Sequence, residues 1–190
     1  ISALDYFTQS LEKTKSTLGE NHQSIAELYK SIGLVHHRLN HFAEALESYS
    51  NALNIQRNIE KDESLETVTI YNLIARVLDS NGKSEEALRL NLDALEIYKR
   101  LSKDKEDEFL AGLLNDIGLN YMNTGKLEES MLFFFKSLDI FHKVLGEVSP
   151  QILPVYNNLG EAYLIQRKYD SAIEFLNKSL QLEKQLSPGG

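Results

Sequence analysis

Small residues return in this chain at a fixed interval. Gly33, Ala75, Gly118 and Gly160 stand at steps of 42, 43 and 42, and Ser10, Ala52, Ala94, Ser137 and Ser179 at steps of 42, 42, 43 and 42. Two independent sets sharing one period mean an internal repeat. A repeat of that length is one supersecondary unit, which buries its apolar face only by stacking on its neighbours. Within each period apolar residues recur every three or four positions, and 190 residues hold only 3 prolines and 10 glycines. That is the pattern of helices joined by short turns, so the expected fold class is all-α. A hydrophobic content of 42% is enough for a continuous core and excludes a disordered chain.

Each period reads as two helices. The first runs to a turn at Asn40, Gly82, Gly125 or Arg167, two of which are the glycine favoured just past a helix C-terminus. The second opens with acidic residues, Glu85 and Glu86, Glu128 and Glu129, or Asp170, where the positive end of the helix dipole favours them. Small residues at Ala45, Ala87, Ser130 and Ala172 let backbones approach closely. Tyr29, Tyr71 and Tyr156 on first helices, and Tyr49, Phe134 and Phe42 or Tyr169 on second ones, are expected to fill the space between. The boundaries follow. Residues 1–20 are the second helix of a truncated repeat, 21–64, 65–107, 108–148 and 149–186 are four repeats, and 187–190 are a flexible tail. Nine helices in one solenoid domain are predicted. Ile1 is not a start methionine, so a segment of a longer protein is expected.

The order Tyr71, Ile74, Ala75, Leu78, Gly82, Ala87, Ala94, and again Tyr156, Leu159, Gly160, Tyr163, Tyr169, Ala172, Ser179, resembles the tetratricopeptide repeat. That repeat is ordinarily about 34 residues long. The longer period, with the links Leu18-Gly19-Glu20-Asn21-His22 and Leu145-Gly146-Glu147-Val148-Ser149-Pro150, is similar to the variant of kinesin light chains and bacterial regulators. The resemblance implies a right-handed α-solenoid of antiparallel helix pairs, four full units preceded by a lone helix. The links Glu60 to Leu65 and Ser102 to Glu108 depart from the pattern in being simply charged, and the first helices carry no Trp.

A net charge of −8 argues against nucleic acid and anionic membranes, since a phosphate-binding surface needs a basic excess. The longest apolar runs, such as Met131 to Phe135, fall far short of the ~20 residues of a spanning helix, and a cytoplasmic protein is expected. Zero Cys removes thiolate metal sites and a Cys nucleophile. His36, His37 and His41 are the best metal constellation, but His41 falls in the turn and no third ligand is placed, so neither metal nor cofactor is expected. The charge runs Lys61-Asp62-Glu63 and Lys103 to Glu108 read as solvated links. No motif brings an acid, base and nucleophile together, so catalysis is not expected.

The resemblance implies a concave groove lined by first-helix residues at steps of three and four. These are Glu27, Lys30, Leu34 and His37 with Arg38; Thr69, Asn72, Arg76 and Asp79; Gly112, Asn115, Leu119 and Met122; and Pro154, Asn157, Glu161 and Leu164. Asn72, Asn115 and Asn157 share one phase, and a carboxamide can pair with the backbone of an extended ligand. Lys30, His37, Arg38 and Arg76 make the first half locally basic, and Leu119, Met122, Leu164 and Ile165 make the second half apolar. Leu34 stands where a terminal-carboxylate clamp needs Asn beside Lys30, which disfavours that ligand class. The expected function is binding a protein or peptide as part of a larger adaptor or signalling protein. The alternative is a spacer or self-association element, for which Leu92, Leu132 and Phe135 supply an apolar patch and secondary interface.

Overall fold

The computed structural model describes residues 3–60 and 63–187. Among them are nine α-helices, one 3-10 turn and no strand: α1 (Ala3–Leu18), α2 (Gln23–Arg38), α3 (Phe42–Ile59), α4 (Leu65–Ser80), α5 (Ser84–Ser102), α6 (Glu108–Asn123), α7 (Leu127–Leu145), the turn Pro150–Ile152, α8 (Leu153–Ile165) and α9 (Tyr169–Leu186). The expected link residues Lys61 and Asp62, and Pro188 to Gly190 of the expected tail, lie outside the described residues. The chain divides into two compact units, Ile1–Leu101 and Ser102–Gly190.

In both units the turn between paired helices has one construction. Asn40, Gly82, Gly125 and Arg167 all adopt left-handed backbone, with φ of 59°, 76°, 80° and 59°. The following amide then reaches back across the helix end, His41 N to His36 O, Lys83 N to Leu78 O, Lys126 N to Tyr121 O and Lys168 N to Tyr163 O, at 2.8–2.9 Å. Carbonyls that the last helical turn leaves without partners are thereby satisfied. First helices begin on polar link residues. Ser64 accepts from the Thr67 amide and Asp107 from the Leu110 amide, while His22 Nδ1 accepts from Ser24.

The charged links also carry a repeated contact. Asn58 donates to Asn21, Arg100 pairs with Glu63 and Lys143 pairs with Glu106, each pair 37 residues apart in sequence. The end of each of these second helices thus holds the link that precedes its own repeat. Such exposed pairs contribute little energy.

Burial follows the small-residue period. Ala45, Ala52, Ala87, Ala94, Ser130, Ser137, Ala172 and Ser179 are all buried. Against α6 the approach is close enough for buried Ser137 Oγ to donate to the Ala111 carbonyl at 2.7 Å. The repeating glycines face the second helix of their own pair. A Cβ on Gly33 would lie 2.6 Å from the Tyr49 ring, one on Gly118 2.6 Å from the Phe134 ring, and one on Gly160 2.8 Å from Leu176. Only glycine permits such an approach. Residues 49, 134 and 176 each follow their glycine by 16 positions. The same step from Ala75 leads to Asn91, which is fully buried and accepts a 3.1 Å bond from Asn72 Nδ2. Tyr169, expected to fill a core hole, is instead exposed on α9.

Candidate interaction face

In the first unit the predicted surface residues lie on α2 and α4, and much of their chemistry is already engaged. Lys30 bonds to Glu27 at 2.8 Å and to Glu66 of α4. Burial alone would lower the pKa of this amine, and the two carboxylates more than offset it, so the group stays charged but neutralised. Lys30 is therefore corrected from a basic contact to an α2–α4 tie. His37 is half-buried; its Nε2 lies 2.9 Å from Ser80 Oγ, and burial, followed by the Arg76 charge, lowers its pKa. It presents a neutral ring, not a cation, at neutral pH. Leu34 and the guanidinium groups of Arg38 and Arg76 are exposed, and among the described residues neither arginine has a carboxylate partner. Asp79 is half-buried and engaged.

In the second unit the face lies on α6 and α8. Asn157, Glu161, Leu164 and Ile165 are exposed, and Asn115 and Leu119 are half-buried. Met122 is buried, 6% exposed, so it belongs to the core, where an unbranched thioether fills space well, and not to the face.

The three asparagines of one phase meet three different fates. Asn72 turns onto Asn91 of its own repeat, Asn115 accepts from Asn158 of α8 at 2.9 Å, and Asn157 stays exposed. The uniform row expected from spacing is not formed, because the offset between neighbouring helices puts Asn158 within reach of Asn115. Asn91 was readable in the sequence as the polar member of the row Tyr49, Phe134, Leu176. Glu66, Ser80 and Asn158 had no comparable signal.

Of the expected secondary patch, Leu92 is half-buried on α5 in the first unit, while Leu132 and Phe135 are exposed on α7 in the second. Phe135 is also a packing residue. Its ring meets Phe175 of α9 edge-on at 5.9 Å, in a cluster where Tyr163 stacks on Phe175 at 5.5 Å. The rings of His36 and His41 lie 5.8 Å apart, and among the described residues no three His, Asp or Glu side chains converge as a metal site. No described helix is long and apolar enough to cross a membrane.

The paired helices, small-residue contacts and left-handed turns match one family along nearly the whole chain. Residues 1–58, 42–100 and 109–185 match the model of the tetratricopeptide repeat. The chain belongs to that family. A clustered mitochondria protein homolog of Brugia malayi is 24% identical over 162 residues, 84% of this chain and 10% of that protein. Kinesin light chain-related protein 3 of Arabidopsis thaliana is 23% identical over 215 residues, 92% of this chain and 33% of that protein. The chain thus spans a third or less of these tetratricopeptide relatives. Among solved structures, the Rap conjugation gene regulator of plasmid pLS20, in complex with a Phr peptide, superposes with a TM-score of 0.81 at 15% identity over 97% of this chain and 48% of that one. The fold is accordingly that of tetratricopeptide α-solenoids.

Proposed function

We propose that the chain is a protein-interaction module that holds an extended segment of a partner protein along its first helices, as part of a longer adaptor or signalling protein. The observation that carries this is the pair of exposed guanidinium groups on α2 and α4. Among the described residues no carboxylate pairs with Arg38 or Arg76, in a chain of net charge −8 where acidic side chains are in excess. They fit an acidic stretch of the partner. On the second unit Asn157, Leu164 and Ile165 fit an amide-bonded, apolar stretch. The peptide-bound structural relative supports the reading by fold likeness.

The test is selection from a displayed library of 12-residue peptides, followed by titration of the selected peptides. Acidic peptides are expected to lose association rate and salt dependence on Arg76→Glu. Apolar ones are expected to weaken by about 5- to 150-fold on Asn157→Ala, an amide bond of roughly 1–3 kcal/mol buried on binding. Affinity that survives Arg38→Glu, Arg76→Glu, Asn157→Ala and Leu164→Ser combined, but not Leu132→Glu, moves the function to the outer side of α7 and favours the self-association reading.

A further inference from the structure

Two half-buried bases on α2 differ in what stands beside them. Lys30 has the carboxylates of Glu27 and Glu66 against it, and together they more than offset the burial that would otherwise weaken its hold on a proton. His37 lies seven residues, about 10 Å, further along the helix. From α4 it is faced by Arg76 and Ser80, from α3 by Phe42, and on its own helix His36 and Arg38 lie beside it. Asp79 of α4 is already engaged, and among the described residues no carboxylate bonds to the ring. Arg76 and Ser80 stand four residues apart, on one face of α4, and both are exposed. Because Ser80 Oγ lies 2.9 Å from His37 Nε2, that spacing sets the ring beside the guanidinium. A fixed cation, a titratable base and a hydroxyl thus meet at one exposed place.

We infer that an acidic side chain seated on Arg76 is bound together with a proton taken up by His37, so that this face holds its ligand more tightly as the pH falls. The inference rests on the reading of Arg38 and Arg76 as the place of an acidic stretch, and adds how that stretch is held. In the free chain burial, and after it the Arg76 charge, keep the ring neutral. A carboxylate on the guanidinium cancels the second effect and does for His37 what Glu27 and Glu66 do for Lys30. The proton comes from solvent. With both ring nitrogens protonated, Nε2 donates to Ser80 Oγ, and the hydroxyl hydrogen is free to turn to a carboxylate oxygen of the ligand. The ligand then meets two positive charges and a further donor where the free chain offered one charge. Binding that raises the proton affinity of a group is itself strengthened by protons, by up to about tenfold per pH unit between the free and bound titrations.

The probe is a capped 12-residue peptide of alternating Asp and Ser, whose carboxylates stay ionised above about pH 5. Titrated into the whole chain, it is expected to bind about threefold or more tightly at pH 5.5 than at pH 7.5. Calorimetry at pH 6.5 in two buffers of different ionisation enthalpy is expected to show proton uptake on binding. His37→Gln is expected to remove both the pH dependence and the uptake, whereas His36→Gln, which leaves the partner of Ser80 in place, keeps them. In the unaltered chain the NMR signals of the His37 ring are expected to titrate below 6.5 without the peptide and above it with the peptide. Arg76-dependent binding of equal affinity at both pH values, or a pH dependence that survives His37→Gln, overturns the inference alone. A peptide that does not bind, or that binds Arg76→Glu as well as the parent chain, overturns the acidic-stretch reading and the inference with it.

Discussion

Where the two helices of a repeat come closest, the first unit holds Gly33 against the Tyr49 ring in one repeat and, in the next, Ala75 at the position from which Asn91 follows by the same step. Both second-helix residues are 0% exposed. Tyr49 takes the space that the missing Cβ leaves; among the described residues its buried hydroxyl has no hydrogen-bond partner, and burial pushes its pKa up to about 12. Asn91 is smaller, stands opposite a residue that has a Cβ, and is bonded by Asn72. The second unit follows the first solution twice, with Gly118 under Phe134 and Gly160 under Leu176. The pair, and not either residue alone, is the conserved quantity along the array: a larger partner requires a glycine, and an alanine comes with a shorter, polar partner.

Adding volume on the glycine side breaks this most severely. Gly118→Val is expected to destabilise by about 3 kcal/mol, the upper end of overpacking costs, because its Cβ meets the buried Phe134 ring at 2.6 Å and the Ser130 backbone carbonyl at 3.2 Å. Chemical denaturation measures it, and a loss below 1 kcal/mol would show that the helix pair separates freely. A swap sharpens the comparison further. Asn91→Tyr alone is expected to cost about 2–3 kcal/mol from overpacking and the lost bond to Asn72. Combined with Ala75→Gly it should recover 1 kcal/mol or more, a coupling that a double-mutant cycle reads directly. Strict additivity would mean that the 16-residue step does not define a packing pair.

These contrasts also mark what the sequence could reveal. Gly33, Gly118, Asn40 and Gly82 were legible because each satisfies a constraint local to its own backbone: close approach in two cases, left-handed geometry in the others. The 42-residue period then located every helix. The fates of Asn72, Asn115 and Lys30 were not legible. Their partners Asn91, Asn158 and Glu66 lie 19, 43 and 36 residues away, and which one is reached depends on the axial offset of packed helices. A spacing rule finds residues on one face; it does not say which of them bond to each other instead of to a ligand. The exposure of Tyr169 was missed because its aromatic character is that of a core residue, while its surroundings depend on which helix covers α9.

The turns offer a milder comparison, between glycine and side-chain-bearing solutions to the same backbone. Asn40 and Arg167 hold φ of 59° where Gly82 and Gly125 hold 76° and 80°. An L-residue there carries roughly 1–2 kcal/mol of steric cost, part of which glycine returns through the entropy of its unfolded chain. Arg167→Gly should therefore stabilise by about 0.5–1 kcal/mol and Gly82→Arg destabilise by a similar amount. Asn40→Gly should change least, since Asn tolerates this region. Thermal melts rank the three; equal effects at 40 and 167 would mean that the Arg167 side chain makes a compensating contact.

The smallest effect distinguishes two of the four cations expected on the first-unit face. Lys30, tied to Glu27 and Glu66, keeps its charge, whereas His37 is held below its ordinary value of 6.5 by burial and by Arg76. The ring faces Arg76 and Ser80 of α4 and Phe42 of α3, with His36 and Arg38 beside it on its own helix, and among the described residues no carboxylate bonds to it. A base with a lowered folded pKa binds fewer protons folded than unfolded in the window just below 6.5. Stability is then complete above pH 6.5 and falls as pH drops through the lowered value. His37→Gln preserves a polar partner for Ser80 and removes the titration. Urea midpoints of the parent chain should fall more between pH 7.5 and 5.5 than those of the variant, and the difference should concentrate in the exchange rates of α2 and α4. If the variant loses as much as the parent, the acid sensitivity belongs to another histidine, and the ring of His37 is already free to carry charge toward an acidic partner.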